Sequence, residues 1–190
     1  MRGNNSVVKI KAEALREAFF STFWDEKTGF FYDYDVEMEC LQPIMSNAHF
    51  WAYYVFSSTR GDYIQLKKLN HNLLNPHKFL TLLPIPTIAL DSEFYTNDMW
   101  QGPVWISQNY WILKALKHAK QSAIAHNIAC QILGRLSLLY SQDNKIYEFY
   151  SPMSEDISTL HRKGSIKGPH PHYIGHMPIH AIYYEFIDNK

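Results

Sequence analysis

The sequence predicts an all-α fold, a toroid of antiparallel helical hairpins joined by short aromatic β connectors. Two observations carry that expectation. Helices apolar on most faces alternate along the chain with helices that carry a single apolar stripe. A helix apolar all round is an inner element, whereas a striped one lies outside with its polar face in water. The same unit also recurs: an aromatic strand or loop, a proline, a helix buried on most faces, a short link and an amphipathic helix. The first unit runs from Gly29 to Leu74, the second from Phe94 to Tyr140, and the third from Ile146 through the helix after Pro178. At 190 residues, 1–190 reads as a single domain long enough for one sizeable core.

Lys11 to Phe23 reads as a helix with Leu15, Phe19 and Phe23 on one face, stopped at Trp24–Gly29, where Gly29 serves a turn. Phe30 to Tyr34 alternates aromatic and polar residues, a short strand signal. Pro43 precedes a helix over Ser46 to Ser57 with apolar residues on most sides. Asp62 is positioned to cap the next helix, which carries Ile64, Leu66, Leu69 and Leu73 and ends at Asn75-Pro76. Phe79 to Met99 is irregular, with Pro84 and Pro86. Pro103 then opens Val104 to His118, with Trp105, Ile106, Tyr110, Trp111, Ile112 and Leu116 around it. Gln121 to Tyr140 has a stripe of Ile124, Ile128, Ile132, Leu136 and Leu139, leaving Gln121, His126 and Arg135 for solvent. Pro178 opens a terminal helix through Phe186.

Eighteen basic residues balance eighteen acidic ones, which argues against partners held by basic patches, nucleic acid and membrane surfaces alike. The 13 Tyr, 11 Phe and 5 Trp fit either a thick aromatic core or a sugar-lined cleft, and composition does not decide between them. Cys40 and Cys130 make no metal-type spacing and no disulfide framework; Cys130, mid-helix, reads as a small buried residue. Met1 to Ser6 has no apolar signal core, and no apolar run reaches a membrane span, so a cytoplasmic location is expected.

Trp100-Gln101-Gly102-Pro103-Val104-Trp105 is an aromatic-walled turn, and Ile146-Tyr147-Glu148-Phe149-Tyr150 sets a lone carboxylate among aromatic side chains. Sugar rings stack on flat indole and phenol faces, and cleaving a glycosidic bond takes an acid and a base, usually two carboxylates. Glu148 is the one convincing candidate. On a short strand it faces opposite to Tyr147 and Phe149, half-buried in a cavity or, alternatively, toward solvent on an edge. Trp105 reads equally as core packing, and Trp100, before a Gly-Pro turn, is better placed as an exposed ring. Asp98 either meets a ligand hydroxyl or caps its own loop. Tyr32-Asp33 occupies in its unit the place that Tyr147-Glu148 occupies in the third. His170, His172 and His176 cluster without a carboxylate or cysteine at a helpful spacing, so they read as a loop lining or covering a cleft, with no metal or other cofactor expected.

These residues resemble the C-terminal part of the trehalase-like (α/α)6-toroid glycosidases, glycoside hydrolase family 63 in particular, which includes α-glucosidases and mannosylglycerate hydrolases. Trp24-Asp25-Glu26-Lys27-Thr28-Gly29-Phe30-Phe31-Tyr32-Asp33 is similar to a WDE-x-TG-F-x-YD run. Ser46-Asn47 through Trp51-Ala52 resembles an SN-x-x-PLWA helix start, Leu83–Thr87 a family loop, and Trp100–Trp105 with Asn109-Tyr110 a WRGPVW…NY motif. Tyr147–Pro152 resembles YE-x-YNP, which carries the catalytic base. The resemblance implies inverting hydrolysis of an α-glucoside or α-mannoside, with Glu148 as general base. It makes Trp100, Gln101, Gly102, Trp105, Asp33 and Tyr147 the sugar-contacting residues. Three departures accompany it. The family's acid lies upstream of the WDE run, the helices fall short of an (α/α)6 ring, and Gln101 replaces the usual Arg. They imply an incomplete toroid with little or no activity alone, completed by an N-terminal half or by self-association. The alternative is a non-catalytic carbohydrate-binding or interaction module derived from a glycosidase.

Overall fold

A computed structural model describes residues 4–56, 62–165, 167–176 and 178–188. Five α-helices carry it: α1 (Asn4–Phe23), α2 (Tyr63–Leu73), α3 (Ile106–His118), α4 (Ser122–Asp143) and α5 (Pro178–Phe186). A 3₁₀ helix, Asn47–Val55, stands where the sequence predicts an α-helix over Ser46 to Ser57; Ser57 itself lies outside the described residues. Its winding explains the burial. Asn47, Phe50, Tyr53 and Phe56, three residues apart, are all buried, because a 3₁₀ helix eclipses side chains at that spacing. Trp51 and Tyr54, also three apart, share an exposed face.

The expected strand over Phe30 to Tyr34 is instead split between two antiparallel pairs. β1 (Trp24–Asp25) pairs with β2 (Phe30–Phe31), and β3 (Tyr34–Asp35) pairs with β4 (Cys40–Leu41). Phe30 and Phe31 are both buried, so no alternation survives there. Gly29 closes the first hairpin at φ 66°, donating its N–H to the Asp25 carbonyl at 2.9 Å. The fold is therefore predominantly helical with short β pairings rather than all-α.

α3 lies at the centre, against the 3₁₀ helix on one side and α4 and α5 on the other. One aromatic-rich core joins these elements, including Phe30, Phe50, Tyr53, Leu69, Ile112 and Ile132. Of the predicted stripe, α4 buries Ile128, Ile132, Leu136 and Leu139, and Ile124 is partly buried. Cys130 is not buried as expected. It sits off that stripe and is exposed, with its sulfur 3.5 Å from the His126 ring one turn back. Among the described residues, α1 packs Phe19, Phe20 and Phe23 against the core. Leu15, expected on the same face, is 73% exposed at the rim of an open groove with Tyr54 and Val55. Asp62 occupies the N-cap position of α2 but makes no capping bond, because its carboxylate pairs with Arg16 of α1.

The connectors are stitched into a ribbon by single antiparallel bridges: Ser46 with Ile88, Pro86 with Val104, Val104 with Tyr150, and Tyr147 with Pro171. Buried asparagines fasten it to the helices. Asn109 of α3 donates to the Pro84 carbonyl at 2.7 Å, and Asn47 donates its backbone N–H to the Thr87 carbonyl at 2.9 Å. The ribbon leads into the 3₁₀ helix after Ser46 and into α3 after Trp105.

Candidate active site

The Trp100–Trp105 turn is folded by its own backbone. The Thr96 N–H donates to the Gln101 carbonyl at 2.6 Å, and the Gln101 N–H to the Asp98 carbonyl at 2.7 Å. Gly102 donates to the Thr87 hydroxyl at 2.8 Å, which ties the turn to the ribbon. A Cβ on Gly102 would stand 2.0 Å from the Thr96 carbonyl oxygen and 2.8 Å from the Tyr95 ring. Backbone cannot yield as a flexible side chain does. Gly102→Ala is therefore expected to cost at least about 2 kcal/mol, from forced overpacking, read as a lowered urea midpoint. A midpoint matching the parent chain would mean that the turn has room to open.

Trp105 is 4% exposed, with Phe149 and Leu160 around it, and its indole N–H donates to the Met99 carbonyl at 2.6 Å. Trp100 lies flat on it, with ring centroids 3.8 Å apart and planes at 6°. Phe149 stacks on Trp105 at 5.4 Å, and Tyr173 meets its edge at 6.5 Å. Trp105 is thus the buried support and Trp100, 46% exposed, the open ring. Of the two indoles named by sequence, only Trp100 presents a face that a sugar can reach. Gln101 is exposed beside it and Gly102 is buried.

Glu148 lies in the ribbon between the bridges at Tyr147 and Tyr150, and it is buried at 8% exposure. Its backbone N–H donates to the His170 carbonyl at 3.0 Å. Its Oε2 receives the Arg162 guanidinium and, at 3.4 Å, the His170 N–H. Among the described residues no bond falls on Oε1. The solvent-facing alternative for this carboxylate does not hold, because the loop carrying His170 folds back over the strand. Arg162 escaped sequence reasoning; nothing local marks a residue fourteen positions on as the partner of Glu148. It is set by the Arg162–Ser165 bridge and by its neighbour His161, which accepts from the Met99 N–H at 2.9 Å. The Met99 segment thus anchors both Trp105 and the Arg162 loop.

Tyr147 donates its hydroxyl to Asp143; burial first, then that bond, raises its pKa to about 12, so it stays protonated as a donor. Burial likewise raises Tyr150 to about 12, and its hydroxyl accepts from the Tyr147 N–H at 2.9 Å. Asp98 is tied into its loop by its backbone: its carbonyl accepts from Gln101, and it bridges His161. Asp33 lies beside a groove lined by Phe19, Phe23 and Trp51, with its carboxylate 3.2 Å from His49. No bond or ion pair among the described residues joins Asp33 to Glu148. Of the histidine loop, His170 touches Glu148 through its backbone, while His172 lines a 380 Å³ cleft with Tyr140, Asn144, Tyr173 and His180. The side chain of His176 lies outside the described residues.

The sequence profile of the mannosylglycerate hydrolase MGH1-like glycoside hydrolase domain matches residues 3–172. A curated but uncharacterised protein of Borreliella burgdorferi is 24% identical over 148 residues, covering 75% of this chain and 30% of that protein. Among solved structures, a family 63 mannosylglycerate hydrolase from Thermus thermophilus, in complex with glucose, aligns with a TM-score of 0.60 at 18% identity. That match covers 89% of this chain and 38% of the other. The neutral trehalase Nth1 of Saccharomyces cerevisiae aligns with a TM-score of 0.69 at 17% identity, over 95% of this chain and 30% of its own. This chain therefore spans well under half the length of each of these proteins.

Proposed function

The chain belongs to the mannosylglycerate hydrolase MGH1-like glycoside hydrolase family, and on that premise we propose that it forms the base-bearing wall of an inverting glycosidase site for an α-glucoside or α-mannoside. The supporting observation is the buried Glu148 carboxylate, oriented by Arg162 and by the His170 N–H on a ribbon that also carries the Trp100 face. Holding Oε2 in two bonds fixes the carboxylate plane and leaves Oε1 to orient a water. In an inverting site that water stands between base and acid, whose carboxyls are roughly 6.5–9.5 Å apart. Trp100, its back covered by Trp105, offers its free face to an apolar sugar face. Gln101 and Tyr147 are placed in the same reading as hydrogen-bonding neighbours of the ligand.

In the proposal the acid is not supplied by this chain: the family's acid lies upstream of the WDE run, and the Asp33 carboxylate is taken up by His49. Solved members of this fold with glucose, or with Tris and D-glycerate, carry far more chain around the matched portion. We therefore read the assembly as an incomplete (α/α)6 toroid, with the acid-bearing helices outside it.

The purified chain is expected to leave aryl α-glucosides, trehalose and mannosylglycerate essentially unhydrolysed. Any turnover present should fall at least about 100-fold in Glu148→Gln. Robust hydrolysis that Glu148→Gln leaves intact overturns the base assignment. Glucose binding by titration that survives Glu148→Ala but is lost with Trp100→Ala favours the non-catalytic carbohydrate-binding reading.

A further inference from the structure

We infer that Cys130 is a reactive thiol, activated by His126 for exchange with acidic low-molecular-weight disulfides of the glutathione type. Cys130 lies on the exposed face of α4, one turn beyond His126, so the two side chains are neighbours. The sulfur is 3.5 Å from His126 Nε2. The other ring nitrogen, Nδ1, stands 2.7 Å from the Phe186 carbonyl oxygen of α5. A carbonyl oxygen only accepts, so Nδ1 carries the proton of that bond, and the neutral ring presents the Nε2 lone pair to the thiol. A nucleophile, a base within its reach and a third group that orients the base therefore stand together.

A cleft of 380 Å³ opens beside the couple. His126 and Asn127 form one wall, and Lys117, Ser122, Glu185 and Phe186 stand around it. The Glu185 carboxylate is engaged by Tyr110 at 2.7 Å and by Lys114 at 2.9 Å. Lys117 donates instead to the Glu185 backbone carbonyl at 3.2 Å and lies 5.6 Å from the Phe186 ring centre. Its ammonium is thus bonded to a neutral acceptor and offers its charge to a carboxylate in the cleft. A disulfide with one acidic half seated there carries its sulfur toward Cys130, one helical turn away.

In the exchange the Cys130 S–H proton passes to His126 Nε2, and the thiolate sulfur attacks one sulfur of the disulfide. The S–S bond of the reagent breaks as the new S–S bond to Cys130 forms. The departing thiolate takes the proton back from the imidazolium. Cys130 is oxidised to a mixed disulfide and one half of the reagent is reduced to a thiol, so the disulfide is itself the oxidant. Cys40, likewise exposed and free, lies on β4 and serves as the reference within the same molecule. The reaction uses none of the residues of the candidate glycosidase site, and its outcome is independent of that reading.

The test follows modification of each cysteine of the full chain by mass spectrometry. Iodoacetamide, an uncharged reagent, reads the thiols alone. Cys130 is expected to react at least about tenfold faster than Cys40, and His126→Gln to remove that advantage. If His126→Gln loses helical signal, the parent chain decides by itself, because urea that unfolds it parts His126 from Phe186 and should abolish the advantage. Cys130 reacting no faster than Cys40, or an advantage that survives both His126→Gln and urea, overturns the activation. Glutathione disulfide and cystamine, a cationic disulfide, then read the cleft. Lys117→Gln is expected to slow exchange at Cys130 about threefold or more with the first and to leave the second unslowed. Both disulfides slowed alike, or neither, overturns the cleft as the place of an acidic ligand.

Discussion

Trp105→Ala is expected to lower the stability of the chain by about 3–5 kcal/mol, the largest loss from any single truncation near the site. The indole is 4% exposed and holds three things at once. Its N–H satisfies the Met99 carbonyl, its faces support Trp100 and Phe149, and its edge meets Tyr173. Removing it opens a cavity among residues that are anchored from elsewhere. Phe149 is flanked by Glu148 and by Tyr150, whose backbone is bonded to Val104 in both directions, and Met99 by the His161 bond, so little collapse can offset the loss. Trp105→Phe keeps most of the contact area, loses only the Met99 bond and should cost about 1–2 kcal/mol. Urea titration read by circular dichroism separates the two. A Trp105→Ala loss below about 1 kcal/mol would show that the indole is not part of the packed layer.

Arg162→Ala is expected to destabilise the chain by about 2–3 kcal/mol. A fully buried pair broken from one side costs about 3–5 kcal/mol. The smaller figure reflects side-chain exposures of 37% for Arg162 and 10% for Glu148, because water reaches the guanidinium more readily than the carboxylate. What remains for Glu148 is the His170 N–H at 3.4 Å, a weak partner for a buried charge. Glu148→Gln in the Arg162→Ala background removes the charge that the mutation strands and should restore most of the loss. The double-mutant cycle therefore carries a coupling of at least about 1 kcal/mol. Additive effects of the two substitutions would mean that the pair does not form in solution.

The two variants probe different layers of one ribbon. Trp105 is a packing support that the sugar never touches in the proposed site, whereas Arg162 orients the carboxylate itself. A chain that keeps its stability in Glu148→Gln while losing it in Arg162→Ala would separate orientation of the base from the fold that presents it.

Much of the helical framework was legible in the sequence, because it depends on local pattern. The stripe of α4, the Pro178 start of α5 and the irregular stretch before Trp100 follow from periodicity and proline chemistry. The misplacements have local causes as well. A three-residue period of Asn47, Phe50, Tyr53 and Phe56 was already present and marks the 3₁₀ winding. Cys130 shares a face with His126 and not with the apolar stripe. Asp62 has the right position for a cap, but Arg16, distant in sequence, takes its carboxylate.

The sequence by itself determined which residue types gather at the ribbon: an indole pair around Gly102, and a carboxylate among aromatic rings. The family resemblance drawn from those motifs stands in the domain match over residues 3–172. Tertiary structure alone decided which indole is open, and that Glu148 is buried and held by Arg162. It also paired Asp33 with His49. The reason is physical. Burial and pairing of a side chain depend on segments that approach through space, and the bridges joining Val104 to Tyr150 and Tyr147 to Pro171 connect parts of the chain that no local periodicity relates.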